Sequence, residues 1–483
     1  METSHPELRS LSLRDPDGSL FNIESHLIRQ VHAQSKSSWE KIKKSPTLQK
    51  FVNAGSFVRS WEMNDVDIER LFQEFPHVFS NSTGDFYLGH EKIPFVSYPY
   101  EWAPEMLQTA GVLTLDLAEQ LANENLGLKD ATPFNVLFSG CNPIFVDLLS
   151  VEARDPRNSL WVAYSQFSKT FLNPLLAYQH LGIPLKNTFL LSREGLTASA
   201  VFEFAPLLKK LHPALFSKIT LPALLENWSD KKLGYCPEMQ KLMDPEKAQF
   251  TLKFLLRSAK KSISNLSFDH HHHRTQFKHY MGNESPYSKE SFAAKEILVK
   301  KWLSEFSQLN VLDVGCNNGH FSRLAAALGR SVVAIDSETE LISKTWESCR
   351  KTHPSILPLI IDLANPSPAS GWNNEEHESF LSRAEGKFDC VLMLAVIHHL
   401  LTTESILLPH IIKLAHRLSS EYVILEWVET SDPMFQHLAK GRDYKHLTTQ
   451  FFESQCSPYF QIATKETLPC KTRTLYCLKR KPV

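Results

Sequence analysis

Three carboxylates stand at the ends of successive apolar runs in the second half of this chain, and the first opens a glycine-punctuated turn. Val311, Leu312 and Val314 read as a buried strand that carries Asp313. Gly315 and Gly319 let the backbone turn tightly, and Phe321 to Leu328 has helical periodicity. Ser331 to Ile335 is a second β run closed by Asp336, and Ile356 to Ile361 is a third, closed by Asp362 and Leu363. A strand, a tight turn and a helix form the layout that cradles a nucleoside-bearing ligand, with the acid after the second strand reaching the ribose hydroxyls. Any one of these acids could merely end a strand. Three in order after a glycine turn describe one site.

The ligand's charge follows from the turn. A dinucleotide site needs G-x-G-x-x-G, so that a pyrophosphate sits on a helix N-terminus. Here three residues separate Gly315 from Gly319, the third glycine is missing, and Asp313 precedes them. A carboxylate there repels pyrophosphate and attracts the amino and sulfonium cations of S-adenosylmethionine. The segment resembles the first motif of class I methyltransferases, D-x-G-x-G-x-G, with Asn317 in place of the middle glycine. Asn tolerates left-handed backbone better than other non-glycine residues. The resemblance implies a Rossmann-like α/β domain with a seven-stranded sheet. It puts Asp313, Gly315, Asn317 and Gly319 at the amino-acid end of the donor, Asp336 on the ribose, and Asp362 with Leu363 at the adenine. Ala395, at the end of the next strand, would flank the cofactor.

That next strand, Phe388 to Ala395, runs into His398 and His399. In the family this strand end lies below the methyl group, so the pair is expected to face the substrate. Imidazole can take a proton near neutral pH, which an oxygen or nitrogen nucleophile may need to lose; the plainer reading is that one histidine caps the following helix. Ser420 to Glu426 is a fifth strand ending in Glu426, a substrate-side candidate. Phe460 to Thr464 and Thr472 to Leu478 can close as a terminal hairpin, as class I methyltransferases do. Between the third and fourth strands, Asn365 to Trp372 holds two prolines and a glycine, so it is a rigid loop. Asn365 and Trp372 on it are candidates for a substrate lid, against the plainer reading of a packed loop.

The first half carries a second constellation. Asp130, Pro133 and Asn135 form D-x-x-P-x-N, and Asp147 follows after a Gly-Cys-Asn-Pro turn. This resembles the catalytic loop and metal-binding segment of kinase-like phosphotransferases, in which the first Asp accepts a hydroxyl proton while Asn and the second Asp hold magnesium. Pro94 to Trp102 would be the strand and hinge between lobes, and Ala103 to Asn125 the long helix. The departures are Leu148 and Leu149 after Asp147, Leu128 for the usual His, no glycine-rich loop, and Arg29 as the phosphate cation. An α+β protein-kinase-like domain is the expectation, with ATP and magnesium as its implied ligands; the bland reading is a scaffold whose Asp130 and Asn135 tie down a turn.

At 483 residues the chain exceeds what one core supports, so two domains are expected: a tail over 1–14, the kinase-like domain over 15–260, a linker over 261–286 and the methyltransferase domain over 287–483. Thr188 to Asn265 reads as short packed helices, and His270 to His273 as a solvated linker, since neighbouring side chains diverge and cannot converge on one metal. The net charge of -1 gives no general attraction to nucleic acid or anionic membrane, and Lys209 with Lys210 reads as a solvated cluster. Eight scattered cysteines without C-x-x-C indicate neither a disulfide framework nor a zinc site. With no apolar leader or spanning run, a cytoplasmic enzyme is expected. The whole chain also resembles a bacterial family of class I methyltransferases, some linked to nodulation, through Ser97 to Trp102, Leu128 to Asn135, Trp161 to Phe167, Phe171 to Leu175, the Asn365 to Trp372 loop and His398 to Leu400. The resemblance supplies no acceptor; a small molecule or glycan is favoured because nothing is strongly basic. The kinase-like domain would bind the acceptor or a nucleotide. A phosphotransferase joined to a methyltransferase and a non-catalytic scaffold are the alternatives.

Overall fold

The computed structural model describes residues 13–23, 26–76, 79, 85–229, 242–268, 288–306, 310–352 and 355–482. The chain divides into two compact units: residues 1–100, 104–269 and 370–377 form the first, and 101–103, 270–369 and 378–483 the second.

In the first unit, β1 (Gly18–Ile23) and β2 (His26–Val31) form an antiparallel hairpin, and β3 (Ser60–Glu62) and β4 (Phe86–His90) extend it into a sheet ordered β1-β2-β4-β3. Alternation places Phe21, Ile23 and Ile28 on one core with Leu71, Phe79 and Tyr87, and the Phe21 and Phe79 rings meet edge-on at 4.8 Å. No strand forms over Pro94 to Trp102. The expected hinge is irregular chain closing in a short 3-10 turn at Pro99–Glu101, and the strand before it is β4, inside the sheet between β2 and β3. The long helix does form, over Pro104–Leu121, with Met106, Leu107, Ala110, Leu113, Leu117 and Leu121 recurring on buried faces. A 3-10 turn, Ala122–Glu124, follows it and ends where Asn125 turns left-handed at φ 52°.

Two ribbons follow: β5 (Leu126–Leu128) pairs with β8 (Val151–Ala153), and β6 (Val136–Ser139) with β7 (Asn142–Phe145). The remaining helices end with Pro245–Ser264, capped by Asp244 and held to the long helix through Gln108, whose side-chain amide donates to the carbonyls of Ile263 and Leu266. The linker expected from 261 therefore begins later, because the helix continues on its apolar stripe through Ile263. Residues 269–286 of that linker, His270 to His273 among them, lie outside the described residues.

In the second unit, β9 (Asn310–Val314), β10 (Ser331–Asp336), β11 (Ile356–Ile360), β12 (Phe388–Met393), β13 (Ser419–Val428), β14 (Phe460–Thr467) and β15 (Arg473–Arg480) make one sheet. Its order is β11-β10-β9-β12-β13-β15-β14, parallel through β13 and antiparallel at β15 and β14. The near-continuous apolar runs of β9, β10 and β12 suit strands covered on both faces. One covering helix, Leu408–Leu418, buries Leu408, Ile411, Ile412, Ala415 and Leu418; each large aliphatic side chain so buried contributes about 2 kcal/mol. Strand order reverses between β9 and β12, and a crevice at the carboxyl ends of the strands is where such sheets bind ligands.

Candidate active site

At that reversal a cleft opens, lined by Asp313, Gly315, Asn317, Asp336, Asp362 and Leu363 from the ends of β9 to β11 and the turn after β9. Leu394, Ala395, Val396 and His399 line it from the end of β12. The turn has the backbone its residue types permit: Gly315 sits at φ 65°, Asn317 at 51° and Gly319 at 74°. A Cβ on Gly315 would stand 2.6 Å from Val396 Cγ2, so only glycine lets the floor of the cleft close. Gly319 does not line the cleft; it turns the chain into helix His320–Ala327, with Thr345 2.7 Å from where its Cβ would be. Ala395 is also left-handed, at φ 58°, a strained conformation for a residue with a Cβ.

The carboxylates have distinct surroundings. Asp313 is buried, accepts a hydrogen bond from Ser322 Oγ at 2.6 Å, and burial pushes its carboxyl up to about 7. Asp336 accepts from the amides of Asn317 (2.9 Å) and Glu338 (3.0 Å), which ties the glycine turn to the end of β10, and burial raises its pKa too. Asp362 accepts from the Ala364 amide at 2.9 Å.

Of the two histidines, His399 lines the cleft and His398 does not. Both lie in the short helix Ile397–Thr402, with His398 buried among its neighbours. Burial, with the Arg473 charge nearby, holds His399 at about 4 and His398 well below the usual imidazole value. In both, burial disfavours the protonated imidazole.

Glu426 is also placed differently from its expected role. It is fully buried and absent from the cleft lining; Lys295 Nζ lies 2.5 Å from one of its oxygens and Arg473 Nη1 3.3 Å from the other. Arg473 bonds Asp432 in turn through Nε at 2.9 Å and Nη2 at 3.1 Å, completing a buried chain of two cations and two anions. Asn365 and Trp372 do not line the cleft either. Trp372 is 69% exposed, and residues 370–377 group with the first unit, where His377 stacks on Phe134 with ring centroids 4.7 Å apart.

Lys295, which lies in none of the motifs above, also belongs to the site. It lines the cleft, its Nζ lies 5.0 Å above the Phe321 ring, and its surroundings oppose one another: burial lowers its pKa while Glu426 raises it. The signal was present, since Ser291, Lys295, Val299 and Trp302 recur on the buried stripe of helix Lys289–Glu305.

In the first unit, Arg29 is buried, bonded to Asp15 at 2.6 Å and 3.9 Å from Asp147. Asn135 donates to Ser150 Oγ at 3.0 Å, and that hydroxyl donates to Asp147. Asp130 accepts from Gln166 at 3.4 Å. The three polar groups of the kinase-like pattern thus sit around the β6–β7 ribbon, with Asn135 and Asp147 joined through one serine.

Residues 268–466 match the family described as a methyltransferase domain. This part of the chain is a class I methyltransferase domain. Nodulation protein NoeA of Rhizobium meliloti (strain 1021) is 27% identical over 478 residues, spanning 97% of this chain and 95% of that protein. The O-antigen chain terminator bifunctional methyltransferase/kinase WbdD of Escherichia coli is 30% identical over 162 residues, 33% of this chain and only 20% of WbdD. Among solved structures, magnesium protoporphyrin IX methyltransferase of Synechocystis PCC 6803 with bound S-adenosylmethionine is 18% identical with a TM-score of 0.31, over 45% of this chain and 100% of that one. The methyltransferase domain uses S-adenosylmethionine, and the cleft suits it: a buried carboxyl that a cation would ionise, a glycine floor closed to any Cβ, and acids at the ends of β10 and β11. The kinase-like unit precedes it in the chain. Among the described residues, no helix is long and apolar enough to cross a membrane.

Proposed function

We propose that this enzyme methylates an oxygen or nitrogen of a small-molecule or glycan acceptor, with the kinase-like unit binding that acceptor or a nucleotide. The donor supplies an activated methyl carbon that the acceptor displaces directly from sulfur. Asp313 pairs with its cationic amino-acid end, Asp336 holds the ribose hydroxyls, and Asp362 with Leu363 meets the adenine. The chain's main work is to align the acceptor behind the sulfonium and exclude water. His399, neutral throughout the physiological range, accepts the hydrogen bond of the acceptor's O–H or N–H. One observation carries this reading: the buried Asp313 carboxyl and the glycine floor line the same cleft. A near-neutral chain and the similarity to WbdD, an O-antigen chain terminator, favour a small molecule or glycan over nucleic acid.

The test is transfer of labelled methyl groups from S-adenosylmethionine into a cell extract, fractionated by chemical class. Label is expected in small-molecule or glycan fractions, and label confined to protein or RNA would refute the acceptor class. A second reading, a phosphotransferase acting on the same acceptor, is favoured by Arg29 lying 3.9 Å from Asp147. It requires magnesium-dependent ATP turnover that Asp147→Ala removes; a chain that binds no nucleotide excludes it.

A further inference from the structure

The segment that leads into β1 is tied to three places in the first unit, each time by an ion pair. Arg14 pairs with Glu376 on the 370–377 loop. Asp15 accepts a hydrogen bond from Arg29 Nη1 on β2 at 2.6 Å. Asp17 accepts from Lys129 Nζ at 2.5 Å and from Ser35 Oγ at 3.0 Å. Pro16 between the two acids has no amide to donate, and residues 13–17 join no strand, so side-chain charge holds much of this segment. Arg29 and Lys129 are also the cations nearest the kinase-like constellation. Arg29 Nη2 lies 3.9 Å from Asp147. Lys129 precedes Asp130 in the chain; burial opposes its charge, Asp17, Asp147 and Asp130 favour it, and its pKa is held up. Arg29 Nε is buried and makes no hydrogen bond among the described residues, so Asp15 leaves donor capacity on the guanidinium.

We propose that Arg29 and Lys129 receive the phosphate chain of a nucleoside triphosphate, and that the strap over 14–17 keeps them occupied with Asp15 and Asp17 until such a ligand displaces it. This rests on the nucleotide reading of the kinase-like unit given above. Charge is the reason. Asp15, Asp17, Asp130 and Asp147 share two cations, so the site with the strap in place is net negative and repels a polyphosphate. With the strap withdrawn, both cations face an incoming anion. Phosphate oxygens on these donors make charge-assisted hydrogen bonds of the same kind as the two carboxylates make now, and a triphosphate brings more charge to them. The strap is also placed to leave. Arg14 is mostly exposed and the Asp17–Lys129 pair is partly so, and ion pairs in contact with water are individually weak.

The experiment is calorimetry of the full chain with magnesium ATP. Asp15→Asn/Asp17→Asn should bind it at least about tenfold more tightly than the native chain, and Arg14→Ala, which frees only the outer tie, more tightly by a smaller factor. Adding Lys129→Gln to the first variant should remove most of the gain. Asp65→Asn/Asp67→Asn makes the same change of charge on an exposed helix turn of the same unit and should leave affinity as it was. An unchanged thermal unfolding curve reports that each variant is folded. Equal affinity in the native chain and both strap variants, or an equal gain in Asp65→Asn/Asp67→Asn, would overturn the strap and leave the nucleotide reading standing. No ATP binding by the native chain or any variant would overturn that reading and the proposal with it.

Discussion

Asp313 is the residue on which the donor site turns, and burial gives it a measurable signature. Held at about 7, its carboxyl is protonated below that pH and charged above it. A cationic donor binds the charged form, so affinity should fall as pH drops below 7, by up to about tenfold per unit. Calorimetry across that range should show the slope in the native chain and a flat, weaker profile in Asp313→Asn; a native profile without slope would separate Asp313 from the donor. Lys295 makes a different prediction. Replacing it with Ala leaves Glu426 buried with Arg473 as its remaining cation, and breaking such a pair costs about 3–5 kcal/mol. Chemical denaturation should read that loss, and Lys295→Met/Glu426→Gln should recover part of it. The acids were legible in the sequence because each ends an apolar run. Glu426 was misassigned for the same reason, since a strand-end acid looks alike whether it faces a ligand or a buried lysine and arginine. The histidine pair was legible as following β12, but which of the two lines the cleft was not, because burial is a property of packing.

At the scale of elements, the turn after β9 is held by close approach. Gly315→Ala would bring its Cβ to 2.6 Å from Val396 in a left-handed backbone, so donor affinity should fall at least about tenfold. Gly315→Ala/Val396→Ala relieves the contact and leaves the strain, so partial recovery is expected; full loss in both variants would mean the backbone conformation alone matters. The strands of this sheet were readable because their apolar runs are bounded by turn residues, and the terminal hairpin followed from its two β runs. Pro94 to Trp102 was not, since its aromatic residues suit a strand while Pro94 and Pro99 prevent one. The helices of 198–225 were legible as helices, but which leucines they leave in water was not, because each is too short to show a periodicity.

For the whole molecule, division into two units was readable from length and from two unrelated constellations. The allocation of residues 101–103 to the second unit and 370–377 to the first was not, because no local pattern announces that a segment packs with a distant part of the chain. In the second unit Glu101 is buried and its carboxylate is held by Arg383 and Ser367, which gives the Ser97 to Trp102 motif a structural reason. In the first, His377 lies on Phe134, between Pro133 and Asn135 of the kinase-like loop. Both motif pieces shared with the bacterial methyltransferase family thus have packing roles that a reading limited to catalysis would overlook.

The measurement that bears most directly on the central claim is calorimetry of the full chain with S-adenosylmethionine and, separately, with NAD. One S-adenosylmethionine per chain should bind, Asp313→Ala should abolish the heat, and NAD should give none. Absence of S-adenosylmethionine binding, or binding unchanged in Asp313→Ala, would contradict the account.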